Sequence, residues 1–124
     1  MFDQPVTLFM CVCLRVQVEK LGLVTTKRNE PYPEEGLQKL LSLDEDKLLD
    51  LKTKYSATID KINYSAGTVK AVHELAEKQV CRYVEIEREY QTGRETPRKV
   101  FAFAVTFVIN RCHVTLVDDI NMHI

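Results

Sequence analysis

Two cysteine-containing segments are the first places in this chain to look for chemistry. Cys11 and Cys13 are separated by one residue, and Cys112 is followed directly by His113. Thiolates and imidazoles bind zinc when they converge to within about 4 Å of one another. Residues two apart on an extended strand share a face but lie roughly 6–7 Å apart, and adjacent residues point to opposite faces. The spacing therefore disfavours a metal site and predicts buried, reduced thiols.

No pattern of residues in the sequence indicates a catalytic site. A nucleophilic cysteine needs a base within hydrogen-bonding reach, and no histidine is tied by spacing to a cysteine. The four glycines are isolated, so no glycine-rich phosphate loop is present. Asp118 interrupts an apolar strand pattern, which predicts that the core ends near Val117. We therefore expect no catalytic residue, no metal and no cofactor, and we expect that the chain is not an enzyme.

One basic segment is a candidate for phosphate contact. Its cations are Arg88, Arg94, Arg98 and Lys99. No aromatic stacking platform accompanies them, because the nearby phenylalanines follow a core pattern. The whole chain has a net charge of −1 and an isoelectric point near 6.3, whereas nucleic-acid-binding domains are usually basic. The composition therefore disfavours nucleic acid as a partner. We expect the basic segment to be a solvated loop.

Length and composition indicate one ordinary globular domain over residues 1–124. The chain is 45% hydrophobic and 28% charged, which suffices for a core without disulfides. The N-terminal segment lacks the basic start of a signal peptide, and no apolar run approaches the roughly 20 residues that span a bilayer. We expect no membrane association and an intracellular location, cytoplasmic or nuclear.

Two segments of the chain have apolar residues at every second position, and these are the first elements that could position a site. Apolar residues hold every even position from Val6 to Val18, and large apolar residues hold every second position from Phe101 to Ile109. Period two is the period of a strand. The second segment also has small, mostly apolar residues on its other face, which predicts a strand covered on both sides.

The segment between these strands has helical spacing. Pro33 with Glu34 and Glu35 predicts a short helix, and Ser42-Leu43-Asp44-Glu45 predicts the capping box of another helix, continuing to Ile62. A further helix is predicted over 69–90. The break at 63–67 is either a turn or a kink, and we favour a turn that gives a helical hairpin. The predicted fold is α+β: a three-stranded, mostly antiparallel sheet (strand–helices–strand–strand) packed on a helical hairpin.

The two faces of the 99–109 strand predict two roles. The phenylalanine face is expected to pack on the helices. The small-residue face is then left for a second copy or a partner protein, as exposed apolar patches usually mark interfaces. The predicted interface residues are Ala102, Ala104, Thr106, Val108, Phe9 and Cys11. A strand over 6–19 would span roughly 45 Å, longer than the domain's diameter of roughly 35 Å, which also suggests self-association.

These observations predict a non-enzymatic module that dimerises or binds another protein through an apolar sheet face or helical stripe. The alternative is a small-ligand-binding protein or small enzyme, with a pocket between curved sheet and helix lined by Tyr55, Tyr83 or His73. A second alternative is a weak nucleic-acid binder acting through residues 88–99.

Overall fold

The chain forms five strands and three helices within the residues that its computed structural model describes, which are 6–18, 32–91 and 98–117. In chain order the elements are β1 (Val6–Val16), α1 (Glu34–Ser42), α2 (Glu45–Leu49), β2 (Lys52–Ile59), β3 (Ile62–Thr68), α3 (Val69–Gln91), β4 (Arg98–Val108) and β5 (Arg111–Leu116). This confirms the predicted α+β class. The strands form two sheets rather than one.

The larger sheet has the order β1-β4-β5 and is mixed, so the prediction of a mostly antiparallel sheet is wrong. β1 runs parallel to β4 along eleven pairs, from Val6 with Arg98 to Val16 with Val108. β5 returns antiparallel to β4 through a two-residue turn. The parallel pairing follows from α3, because a helical crossover brings the chain back to start β4 at the same end as β1. Since β1 and β4 are equally long, β1 does not extend beyond its partner strand.

The second sheet is a hairpin of β2 and β3, where the sequence had predicted a helix to Ile62 and a break at 63–67. The prediction of a helical hairpin is therefore wrong. Asp60 and Lys61 form the turn with φ of 52° and 68°, the left-handed values of a two-residue hairpin turn. The apolar spacing that indicated a helix also fits this hairpin, because Thr53, Tyr55, Ala57 and Ile59 alternate and suit a strand.

The two short helices begin close to where the sequence predicted. Pro33 is the N-cap of α1, and Glu34 and Glu35 occupy its first turn. The cap of α2 is Asp44, whose carboxylate accepts a hydrogen bond of 2.8 Å from the Lys47 amide. The predicted capping serine, Ser42, instead donates to a carbonyl within α1.

Helix α3 covers the small-residue face of β4, so the expectation that the phenylalanine face packs on helices is wrong. Val72, Ala76 and Val80 of α3 are fully buried, as are Ala104 and Val108 of β4. Small side chains on a strand let a helix approach the sheet closely, which removes apolar surface from water on both elements. The opposite face of the sheet is left without a layer from the described part of the chain.

Candidate interaction surface

The side chains of the larger sheet that point away from α3 form what we call the outer face. The strand register decides which side chains share this face. Cys11 of β1 lies beside Phe103 of β4, and Phe103 lies beside Leu116 of β5. The described side chains of the outer face are Phe9, Cys11, Cys13, Arg15, Phe101, Phe103, Val105, Phe107, Cys112, Val114 and Leu116. Arg15 is the only charged member of this described set.

Large apolar side chains on the outer face are open to solvent. Phe9 is 68% exposed, Val114 is 50% exposed and Leu116 is 54% exposed. Phe9 stacks on Phe101 with ring centroids 5.5 Å apart, so the exposed aromatic surface is held in place by its neighbour. Contiguous exposed apolar patches on protein surfaces typically mark binding surfaces.

Three of the four cysteines lie on the outer face, where the sequence had predicted buried thiols. Cys11, Cys13 and Cys112 are exposed, and Cys81 on α3 is half-buried; all four are unpaired. The prediction of buried thiols is wrong for the outer-face cysteines because this sheet face has no covering layer in the described chain. Burial, followed by the Glu77 and Glu85 carboxylates, raises the pKa of Cys81 above its ordinary value.

The two strand cysteines contact each other through their sulfur atoms. Cys11 Sγ lies 3.2 Å from Cys13 Sγ, closer than the strand spacing of the two residues suggests. Partial burial, then the hydrogen bond to Cys13 and its charge, raise the pKa of Cys11 from 9.0 to about 11. Cys11 is therefore a protonated thiol at neutral pH and a poor nucleophile.

The predicted interface residues are divided between the two faces of the sheet. Ala102, Ala104, Thr106 and Val108 are buried on the face that packs on α3, so the described chain itself covers them. Phe9 and Cys11 lie on the outer face and are exposed. Period two in the sequence separates the faces correctly but does not say which face the helix takes, because both faces of β4 are apolar.

The predicted basic patch stays a prediction. Arg88 is half-buried on α3, and Arg98 and Lys99 are the first two residues of β4. Arg94 lies outside the described residues, as does Asp118.

A polar cluster lies between α3 and the covered side of the sheet. His73 is buried, its Nδ1 lies 2.8 Å from Thr106 Oγ1, and its Nε2 lies 2.9 Å from Thr115 Oγ1. Thr115 Oγ1 donates its single proton to Glu77 Oε2 at 3.2 Å, so it must accept from His73 Nε2. This contact places a proton on His73 Nε2, and burial lowers the pKa of His73, which favours the neutral ring. In that form the lone pair of Nδ1 accepts a hydrogen bond from the Thr106 hydroxyl.

The polar cluster continues through His113, whose ring centroid lies 4.5 Å from that of His73, and there it ties β5 to the two short helices. Arg111 Nη1 donates to the carbonyl oxygen of Leu40 at 2.8 Å and to that of Leu43, at the end of α1. Arg111 Nη2 and His113 Nδ1 lie 3.3 Å and 2.7 Å from the Glu45 carboxylate oxygens. The hydrogen bond to His113, with a smaller contribution from Arg111, lowers the pKa of Glu45. The Arg111 contacts add hydrogen bonds to carbonyls at the C-terminal end of α1, where the Leu40 carbonyl also accepts from the Leu43 amide.

The residues proposed for a ligand pocket do not share one site. His73 is enclosed in the polar cluster, Tyr83 is exposed on α3, and Tyr55 is half-buried on β2. Among the described residues, no group of three or more histidine, cysteine or acidic side chains converges to hold a metal ion. No helix in that part of the chain is long and apolar enough to cross a membrane.

Comparisons of the chain with protein-family models, with curated proteins and with solved structures give no match.

Proposed function

We propose that this chain is a non-enzymatic interaction module that associates with a second copy of itself through the outer face. The single observation that carries the proposal is the mostly apolar outer face formed by β1, β4 and β5. On this face Phe9, Val114 and Leu116 are at least half exposed. Burying such side chains contributes roughly 25 cal/mol for each Å² of apolar surface removed from water.

The chemistry of the outer face supports a second copy as the occupant. Its described side chains carry one charge, at Arg15, so the face offers little to select a strongly charged partner. An apolar sheet face can pack on its own copy with strands nearly aligned and the sheets about 10 Å apart. A twofold arrangement closes the assembly at two copies, which is the commonest symmetry among soluble oligomers.

The size of the outer face sets the expected strength of the dimer. Two strands of 11 residues and one of 6 residues, about 4.8 Å apart, cover roughly 450 Å² per copy. Two copies then bury on the order of 900 Å², near the lower limit of about 1,000 Å² for specific interfaces. We therefore expect a weak, concentration-dependent dimer rather than an obligate one.

Sedimentation velocity across protein concentrations from micromolar to millimolar tests this proposal. The double variant Phe9→Lys, Val114→Lys places two charges on the outer face at side chains that are at least half exposed, so the fold should persist. Ile62→Lys on β3 is the matched control, because Ile62 is 55% exposed on the other sheet.

We expect the wild type and Ile62→Lys to shift from monomer to dimer as concentration rises, and the double variant to remain monomeric with an unchanged circular dichroism spectrum. A wild type that stays monomeric at millimolar concentration would overturn the proposal. So would a folded double variant that dimerises like the wild type.

A further inference from the structure

A groove at one end of the larger sheet combines positive charge with aromatic surface. Its cavity volume is about 710 Å³, within the range of roughly 300–1,000 Å³ that small-molecule sites occupy. It is open to solvent, and its lining comes from the end of β1, the segment before α1, β2, and the end of β4.

The walls of the groove are fixed by contacts between β1 and β2. Thr53 is buried and its hydroxyl donates to the carbonyl oxygen of Gln17, while Val18 forms a bridge with Thr53. The β2–β3 register shifts between Lys52 and Tyr55, so Lys54 lies in an irregular stretch of the strand. Irregularities of this kind redirect side chains and are enriched next to functional sites.

The turn after β4 adds a second irregular wall. Ile109 lines the groove with a φ of 58°, a left-handed value that is sterically unfavourable for a β-branched residue. Backbone strain held in place by its surroundings is concentrated at binding sites. Ile109 also packs against the core cluster that contains Val16 and Val108, which keeps the turn in this conformation.

The chemistry of the lining selects a type of ligand. The groove has two cations, Arg15 and Lys54, and three aromatic rings, Tyr32, Tyr55 and Phe107. None of its described lining residues is acidic, although the whole chain has 18 acidic and 17 basic residues. Cations favour an anionic group through charge-assisted hydrogen bonds, and the rings favour a flat apolar group.

We propose that this groove binds a small aromatic anion, with the acidic group held by Arg15 and Lys54 and the ring packed among Tyr32, Tyr55 and Phe107. The ligand class is an aromatic ring that carries a phosphate, sulfonate or carboxylate. The groove is formed within one copy of the chain, but Arg15 and Phe107 also belong to the outer face, so the titrations use micromolar protein, at which the chain is expected to be monomeric.

Isothermal titration calorimetry with 2-naphthyl phosphate tests the site directly. Inorganic phosphate and 2-naphthol carry the charge and the ring separately, and AMP presents the same pair of groups in a nucleotide. We expect 2-naphthyl phosphate to bind one per chain, at least about tenfold more tightly than either separate half, since a single charged hydrogen bond contributes about 1.5–3 kcal/mol. AMP binding of similar strength assigns the site to nucleotides, and weaker AMP binding assigns it to simple aromatic acids; both support the class.

Substitutions locate the binding in the groove. Arg15→Gln and Lys54→Gln remove one cation each at exposed positions, and each should weaken 2-naphthyl phosphate binding about tenfold. Lys70→Gln, an exposed lysine on α3, is the matched control and should leave the affinity unchanged. The double variant Phe9→Lys, Val114→Lys should also bind normally, because neither residue lines the groove, and this result would show that ligand binding does not require the dimer.

The proposal is overturned if 2-naphthol binds as tightly as 2-naphthyl phosphate, because the anion would then contribute nothing. It is also overturned if the folded Arg15→Gln and Lys54→Gln variants bind like the wild type, or if no heat of binding is detected at millimolar ligand.

Discussion

At the scale of single residues, the contact between Cys11 and Cys13 contributes to the low reactivity of Cys11. Burial is the largest cause that raises the pKa of Cys11 to about 11, and the other two causes come from Cys13. We predict that Cys13→Ala lowers the pKa of Cys11 and raises its alkylation rate by iodoacetamide at pH 8 severalfold, because the thiolate is the reacting form. Peptide mass spectrometry of timed samples gives the rate.

Cys112→Ala is the control for this prediction, since Cys112 lies on β5, separated from β1 by β4. It should leave the alkylation of Cys11 unchanged. An equal rate in the wild type and in Cys13→Ala would show that the two sulfur atoms do not interact in solution.

Lys61 gives a second residue-scale prediction, because it holds a φ of 68° in the β2–β3 turn. Glycine adopts such values without a steric penalty, so Lys61→Gly should stabilise the protein by about 0.5–1 kcal/mol. Ser56→Gly, at a regularly paired position of β2 opposite Ser65, should instead destabilise it, since glycine weakens a regular strand. Urea unfolding measures both, and destabilisation by Lys61→Gly would contradict the turn geometry.

At the scale of elements, the polar cluster joins α3, β5 and the short helices, and it makes stability depend on pH. Burial, followed by the charge of His113, lowers the pKa of His73 below its ordinary value of 6.5, against the opposing effects of Glu77 and Glu74. The folded state then binds fewer protons than the unfolded state, so stability is lost as pH falls through 6.5. The lowered pKa of Glu45 changes stability in the same direction at lower pH. The stabilisation that Glu45 contributes is present above pH 4.5 and is lost on further acidification.

We therefore predict that the melting temperature falls in two stages as the pH is lowered from 7 to 3, the first below pH 6.5 and the second below pH 4.5. His73→Gln should be about 1–3 kcal/mol less stable at pH 7, because it disturbs both hydrogen bonds of the buried ring, but it should lose the stage below pH 6.5. Glu45→Gln should keep that stage and lose the lower one. Thermal unfolding at each pH gives the profiles, and an unchanged profile in His73→Gln would rule out His73 as the titrating group.

The elements also show how far the sequence predicts this structure. Period two identified β1 and β4, because a strand alternates its faces whatever its surroundings. The helical spacing through Tyr55 and Ile59 was misleading, since apolar residues three and four apart also occur in a hairpin with an intervening turn. Of the residues that line the groove, only Tyr55 was predicted from the sequence to line a pocket. The others could not be grouped, because the lining comes from four separate segments that the fold brings together.

At the scale of the whole molecule, the two faces of the larger sheet differ. One face is covered by α3, and the other presents Phe9 and Val114 to solvent. The sequence could not assign these faces, because either face of β4 is apolar enough for a core. The choice follows from size, since Ala102 and Ala104 let α3 approach the sheet more closely than phenylalanines would.

The cysteines provide the most direct measurement of whether the outer face is an interface, because Cys13 and Cys112 lie on that face while Cys81 lies on α3. The wild type is labelled briefly with N-ethylmaleimide at micromolar and millimolar protein concentrations, and the labelled fraction of each cysteine is determined by mass spectrometry. We predict that labelling of Cys13 and Cys112 slows as the dimer forms while labelling of Cys81 stays constant. Unchanged labelling of Cys13 and Cys112 across the concentrations at which sedimentation shows a dimer would contradict the assignment of the outer face as the interface.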